Sequence, residues 1–301
     1  MLSNCNMCPR QCGVNRYVKS GYCGVSGDLV RVGRASLHMW EEPCISGKNG
    51  SGTIFFAGCN LGCVYCQNRA LSQNCALSQN CAGIDITVEQ LSDIMLSLQK
   101  QGAHNINLVT PTHYSVQIQK AFHLAQQKGL AIPLVYNSSG YDLPETLQSL
   151  NGIISVYLTD FKYANDDLGK LYSKVDDYSS VAMNALREMF RQVGEPMYCD
   201  GMLIKGIIVR HLVLPGQLQN SKDVLKKVYD EFGDSVIISI MNQYTPVGEQ
   251  SLDELNRRVT AEEYDEVIEY AISIGIQNAF IQEEGTQEES FIPEFNGEGI
   301  V

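Results

Sequence analysis

Residues 53–68 read TIFFAGCNLGCVYCQN, a short apolar strand running without a linker into three closely spaced cysteines. Thr53–Ala57 is rich in β-branched and aromatic side chains, which favour a pleated strand. Cys59-x3-Cys63-x2-Cys66 then sets three thiols on one loop at the strand's carboxyl end. Such a loop can wrap a compact iron–sulfur cluster, whose irons take sulfur ligands. A fully ligated [4Fe–4S] cluster needs four cysteines, so three leave one iron open to a chelating substrate. Gly58 and Gly62 let the backbone turn tightly towards the inorganic sulfides. The rival reading, a structural zinc site, wants a fourth ligand nearby and usually paired two-residue gaps.

Downstream of the loop, short apolar runs alternate with amphipathic helical patterns. The spacing predicts a helix over 87–101, with Thr87 and Gln90 as its capping box and Gly102 as its stop. Strands are expected at 105–110, 132–136, 153–158, 206–214, 236–241 and 278–282. Helices are expected at 115–128, 143–150, 180–193 and 221–232, with a last one capped by Thr260 and Glu263 and ending near Ile274. This alternation implies parallel pairing through right-handed crossovers. Nearly every strand ends in polar residues: Cys59-Asn60, Thr110 to Tyr114, Asn137 to Gly140, Asp160-Phe161-Lys162, Arg210-His211 and Asn242-Gln243-Tyr244. A β/α barrel gathers site residues from many strand ends, whereas an open doubly wound sheet concentrates them at one switch point. The expected fold is therefore α/β, a partial barrel with about six parallel strands.

The chain has 301 residues, a formal net charge of −12 and 44% hydrophobic residues. No basic stripe stands ready to neutralise phosphates, which argues against a nucleic-acid partner. No run of about 18 apolar residues and no apolar signal core are present, so a cytoplasmic protein without a membrane segment is expected. Eleven cysteines, an odd count with gaps of two and three residues, argue for metal ligation over a disulfide framework. Four of them, Cys5, Cys8, Cys12 and Cys23, lie in a front segment with little apolar content. A bound metal, either zinc or an iron–sulfur cluster, would offset its ordering entropy; reduced free thiols are the bland alternative. Cys44 is a further candidate ligand. LSQNCA at 71–76 is repeated at 77–82 and reads as a duplicated surface loop, with Cys75 and Cys81 incidental to the chemistry.

The CxxxCxxC loop after the first strand resembles that of the radical S-adenosylmethionine superfamily, over about Gly52 to Gln282. In particular the chain resembles the pyruvate formate-lyase-activating-enzyme-like branch, among members that open with CxxCPRxCG. The resemblance implies a partial (β/α)6 TIM-like barrel over 51–285, a cysteine-rich segment at 1–50 and a tail at 286–301. It also implies an enzyme whose reduced [4Fe–4S] cluster passes an electron to S-adenosylmethionine, giving a 5′-deoxyadenosyl radical that takes hydrogen from a substrate. An electron donor such as flavodoxin or ferredoxin, and a glycyl radical enzyme as partner, follow from it.

Residue by residue, Tyr65 is similar in place to an aromatic that contacts adenine. Asn137, Ser138 and Ser139 fall where the ribose binds. Asp160-Phe161-Lys162 resembles the DxK of the activating enzymes. Arg210 with Pro215-Gly216 is similar to their RxxxxPG segment. Two departures stand out. Thr110-Pro111-Thr112 replaces the GGE segment that receives the methionine amino group, and Gln243-Tyr244 replaces a histidine. His113 and His211 read as core or rim histidines, or as catalytic. A radical enzyme acting on a small molecule or a peptide, and a non-catalytic iron–sulfur or zinc protein, are the competing classes.

Overall fold

The computed structural model describes residues 2–72, 81–246, 248, 252–282 and 293–300. Most of the LSQNCA duplication, Cys75 included, lies outside the described residues. Among the described residues ten strands form the framework: β1 (Val30–His38), β2 (Ser51–Phe56), β3 (Ile84–Ile86), β4 (Ile106–Val109) and β5 (Leu134–Ser138), then β6 (Val156–Asp160), β7 (Met197–Cys199), β8 (Met202–Leu212), β9 (Ile237–Met241) and β10 (Ala279–Ile281). The sheet order is β10-β9-β8-β6-β5-β4-β2-β1-β3, with β7 paired to β8 alone. From β2 to β10 every main ladder is parallel, and the order never reverses. A sheet without a reversal has no topological switch point, so right-handed crossovers stack all helices on one face and the other face curls inward. Seven parallel strands result, against a barrel of about six and the seven apolar runs counted from Thr53. The last, β10, falls within the run expected at 278–282 and is three residues long at the open edge.

The helices between them are α1 (Val88–Lys100), α2 (Ser115–Gln127), α3 (Pro144–Gln148), α4 (Asp166–Ser173), α5 (Tyr178–Val193), α6 (Leu218–Phe232) and α7 (Ala261–Ser273). The capping boxes at Thr87/Gln90 and Thr260/Glu263 both form. Strand β5 starts two residues later than the apolar run predicts, because Pro133 cannot donate to the ladder. Likewise Ile153 and Ile154 are buried in the turn before β6, so their apolarity serves packing instead of the strand.

Side chains alternate across the sheet. Ile54, Ile106, Leu108, Tyr136, Tyr157, Val209 and Ile240 face the helices in the main core. Val135, Val156, Leu158, Ile208 and Ile237 form a second, smaller cluster closed by Cys44 and Ile45. Those last two belong to the single helical turn Pro43–Ser46, held beneath the barrel by the Asn105 amide, which donates to the Ile45 carbonyl (2.8 Å). Asn105 precedes β4, so this plug stops the amino-terminal end of the barrel and leaves the carboxyl ends of the strands as its mouth. Cys44 is thereby placed with the barrel floor.

The first strand, β1, is antiparallel to both β2 and β3 and so extends the barrel sheet from the front segment. The described end of the chain returns to it: Ala35 donates to the Glu298 carbonyl (2.9 Å) and Gly297 to that of Gly33 (3.0 Å). No helix among the described residues is long and apolar enough to cross a membrane.

Candidate functional site

Strand β2 delivers the chain to Gly58, whose φ of +86° suits glycine. A Cβ there would lie 2.7 Å from the Cys23 carbonyl oxygen, so only glycine fits the turn into Cys59. The loop that follows is tied to α4 by two backbone bonds, Gly62 to Ser173 O (3.2 Å) and Val64 to Tyr172 O (2.8 Å). Cys59, Cys63 and Cys66 are all partly exposed at the barrel mouth. Cys63 Sγ lies 2.9 Å from Ser173 Oγ, and Cys66 Sγ 3.2 Å from Ser72 Oγ, while the Leu61 N–H points at Cys59 Sγ (3.4 Å). Burial raises the Cys59 and Cys63 thiols, and the neighbouring Lys162 charge acts the other way on both.

Lys162 is ion-paired with Asp160 at the carboxyl end of β6. Burial works against its ammonium, but Asp160 and then Cys63 hold its pKa well above the usual lysine range. The pair therefore forms a fixed charge facing the cysteine loop. His211 positions it from behind, bonding the Phe161 carbonyl (2.8 Å) and Ser221 Oγ (2.9 Å). Burial lowers the His211 pKa to about 4, so it stays neutral. His113 is likewise a buried neutral histidine, pushed down to about 3 chiefly by burial, and its Nε2 bonds the Ala57 carbonyl (2.8 Å). Both are framework residues.

Tyr65 Oη meets Tyr163 Oη (2.6 Å), which in turn meets Ser173 Oγ (2.8 Å), so a chain of hydroxyls runs to Cys63. The Tyr65 ring is buried, edge-on to Tyr172 and Tyr244. Thr112 is buried, whereas Thr110 is half-buried at φ +59°. A left-handed β-branched residue is a strained outlier. Relief of about 1–3 kcal/mol of strain in Thr110→Gly should exceed the roughly 0.5–1 kcal/mol entropic cost of glycine. The variant is expected to gain about 1 kcal/mol in urea unfolding; an equal or lower midpoint would show the conformation to be unstrained.

Ser138 gives its hydroxyl to Asp142 (2.7 Å), and Tyr136 Oη does the same (3.0 Å). Burial raises the Asp142 pKa despite these bonds. Asn137 projects from the inner face of β5, and its amide bonds none of the described residues. Ser139 lends its carbonyl to Tyr178 Oη (2.7 Å). Next to it, a Cβ on Gly140 would come 2.2 Å from the Asp160 carbonyl, so glycine lets the ends of β5 and β6 touch.

Arg210 lies on the inner face of β8, level with Asp160 and Ser239. Its guanidinium takes Glu42 in a fork (2.8 and 2.5 Å) and also pairs with Glu41. Glu41 accepts in addition from the Asn107 amide (2.7 Å). Burial raises the Glu42 carboxyl, but Arg210 outweighs it and holds the pKa below the ordinary range. Sequence reasoning missed Glu41, Glu42, Asp142 and Ser173. The acidic pair inside the otherwise uncharged run HMWEEPCI was the one available signal.

In the front segment Cys5, Cys8 and Cys23 are buried and Cys12 is partly so. Among the described residues, no three Cys, His, Asp or Glu side chains stand in the geometry of a single-ion site. Cys199, on β7, is exposed.

Residues 53–212 match the family model of the radical SAM superfamily. An uncharacterised protein of Methanocaldococcus jannaschii is 30% identical over 277 residues, covering 90% of this chain and 75% of its own length. Streptococcus suis SuiB bound to its precursor peptide SuiA shares the fold, with a TM-score of 0.51 at 11% identity over 76% of this chain and 47% of that one. The FeFe-hydrogenase maturase HydG from Carboxydothermus hydrogenoformans gives a TM-score of 0.47 at 12% identity, over 80% and 55%. The chain spans about half the length of these solved structures.

Proposed function

Since the chain belongs to the radical SAM superfamily, we propose that it cleaves S-adenosylmethionine reductively on a cluster held by Cys59, Cys63 and Cys66. The observation that carries this reading is the pinned three-thiol loop at the barrel mouth, with the Asp160–Lys162 pair facing it. The loop fits such a cluster: three partly exposed thiols, two glycines without room for a Cβ, and hydroxyl partners on two of the sulfurs. When bound, the cluster supplies one electron to S-adenosylmethionine, which splits into methionine and a 5′-deoxyadenosyl radical.

The chain's own groups bind and orient. Held by Cys59, Cys63 and Cys66 alone, such a cluster would keep one iron available to S-adenosylmethionine. Lys162, fixed by Asp160, offers a cation to the methionine carboxylate. Thr110 and Thr112 provide main-chain acceptors for the amino group. Asn137, whose amide bonds none of the described residues, would serve the ribose, with Ser138 and Ser139 shaping the turn beside it, and Tyr65 sets the adenine side. Arg210, neutralised by Glu41 and Glu42, orders the floor beneath the substrate.

We assign the chain to the activating-enzyme-like branch, so that the hydrogen is taken from a glycyl residue of a partner enzyme, with flavodoxin or ferredoxin as electron donor. The Asp160-Phe161-Lys162 and Arg210-to-Gly216 segments support this. The catalytic unit is taken as 51–285, with 1–50 as cap and 286–301 as tail. A cytoplasmic setting suits its thiols. A second reading, favoured by the fold shared with peptide-bound SuiB, is modification of another peptide.

Anaerobic reconstitution followed by reduction with S-adenosylmethionine is expected to release 5′-deoxyadenosine. A cluster-loaded, reduced sample that releases none overturns the reading. A glycyl-radical signal in a co-purifying enzyme would support the activator assignment, and deuterium transfer from a peptide without such a signal would support the second.

A further inference from the structure

Four thiols in the front segment take no part in the chemistry above, yet the backbone folds so that they converge. Cys5 N–H donates to the Val14 carbonyl and Gly13 N–H to that of Cys5 (both 2.9 Å), closing a tight hairpin. Within it, Gln11 N–H reaches the Cys8 carbonyl (3.0 Å), with Gln11 at φ +40°. Cys12 is turned towards residues 21–23: Tyr22 N–H points at its Sγ (3.3 Å), and a Cβ on Gly21 would lie 3.2 Å from it. Cys23 follows directly. Cys5, Cys8 and Cys23 are 6%, 8% and 7% exposed, so three sulfurs are sealed from water. Cys8 lies within electrostatic reach of the other three, although burial is the main reason its pKa is pushed up to about 12.

A segment this poor in apolar side chains, with only Leu2, Cys5 and Met7 in its own small core, does not order itself by burial. Four converging thiols, three of them buried, are the donor set of a thiolate-bound metal centre. A zinc ion would draw all four sulfurs to about 2.3 Å from one point. Among the described residues no three such side chains meet in the geometry of a single ion, either here or at Cys59, Cys63 and Cys66. A four-iron cluster spreads its ligands over separate irons and does not need the four sulfurs to meet at one point.

The segment is also seated on the loop of the first cluster. Cys23 O packs against Gly58, Arg10 Nε donates to the Asn60 carbonyl (2.9 Å), and Tyr22 Oη occupies the space of a Gly62 Cβ. The Arg10 guanidinium in turn lies 3.8 Å over the Tyr22 ring. The geometry points to a second, fully protein-ligated [4Fe–4S] cluster on Cys5, Cys8, Cys12 and Cys23, packed against the loop that carries Cys59. All its irons are ligated by protein, so it takes no S-adenosylmethionine.

Iron and acid-labile sulfide are to be counted in the full chain after anaerobic reconstitution. About eight of each per chain are expected, falling to about four in Cys59→Ala/Cys63→Ala/Cys66→Ala and to about four in Cys8→Ser/Cys23→Ser. In the reduced triple variant the paramagnetic signal should not respond to S-adenosylmethionine; in the Cys8→Ser/Cys23→Ser variant it should. Only four iron in the unaltered chain, an iron-free triple variant, or one zinc per chain in place of the second cluster would each overturn the assignment. None of those results bears on the Cys59 loop, whose own signal is read separately.

Discussion

Cys63→Ala, reconstituted and reduced, is expected to release no 5′-deoxyadenosine above background, a loss of at least about three orders of magnitude. Cys59→Ala and Cys66→Ala should behave alike, because three thiolates are the minimum that holds the cluster and still leaves one iron open. The loss should be specific to ligation. Gly62 and Val64 are bonded to α4 through their backbones, so the loop keeps its path when one sulfur is removed. Circular dichroism and the urea midpoint should therefore change little while the iron bound at this site disappears. Cys199→Ala, at an exposed position on β7, and Cys75→Ala should leave the release intact. Undiminished release from any of the three loop variants would remove the central assignment.

The second large effect is on stability. Arg210→Met should destabilise the fold by about 3–5 kcal/mol, the range for breaking a buried ion pair from one side. The guanidinium is 13% exposed and its partners Glu41 and Glu42 are 8% and 6%, so neither carboxylate has water to turn to. In the unaltered chain the Glu42 pKa is lowered. Its contribution is thus complete at neutral pH and is lost as pH falls through that lowered value. In the variant, burial is opposed only by the hydrogen bonds Glu42 keeps to the backbone and Ser239, so its carboxyl rises and the deficit should shrink on acidification as it takes a proton. Glu41→Gln/Glu42→Gln added to Arg210→Met should restore much of the loss, measured by urea unfolding at neutral and acid pH. A full-sized deficit that persists in acid would mean that packing, and not charge, is what Arg210 supplies.

The parallel strands and the helices around them were legible because burial writes a period into the chain. Each helix end that a capping box marked, at Thr87 and Thr260, falls where the pattern put it. An error came where apolar residues serve another purpose: Ile153 and Ile154 pack a turn. The cysteine loop was legible because its ligands are neighbours in sequence. By contrast, Glu41 and Glu42 meet Arg210 across 169 and 168 residues, and no local spacing encodes such a meeting. Ser173 was hidden for the same reason: a serine is ordinary until the fold sets it 2.9 Å from Cys63.

The small helical turn under the barrel has a consequence for traffic. With Cys44 and Ile45 filling the amino-terminal end, the barrel axis is stoppered from below, and what approaches along it from above meets the cysteine loop first. In the proposed reaction both molecules would then arrive past the same loop.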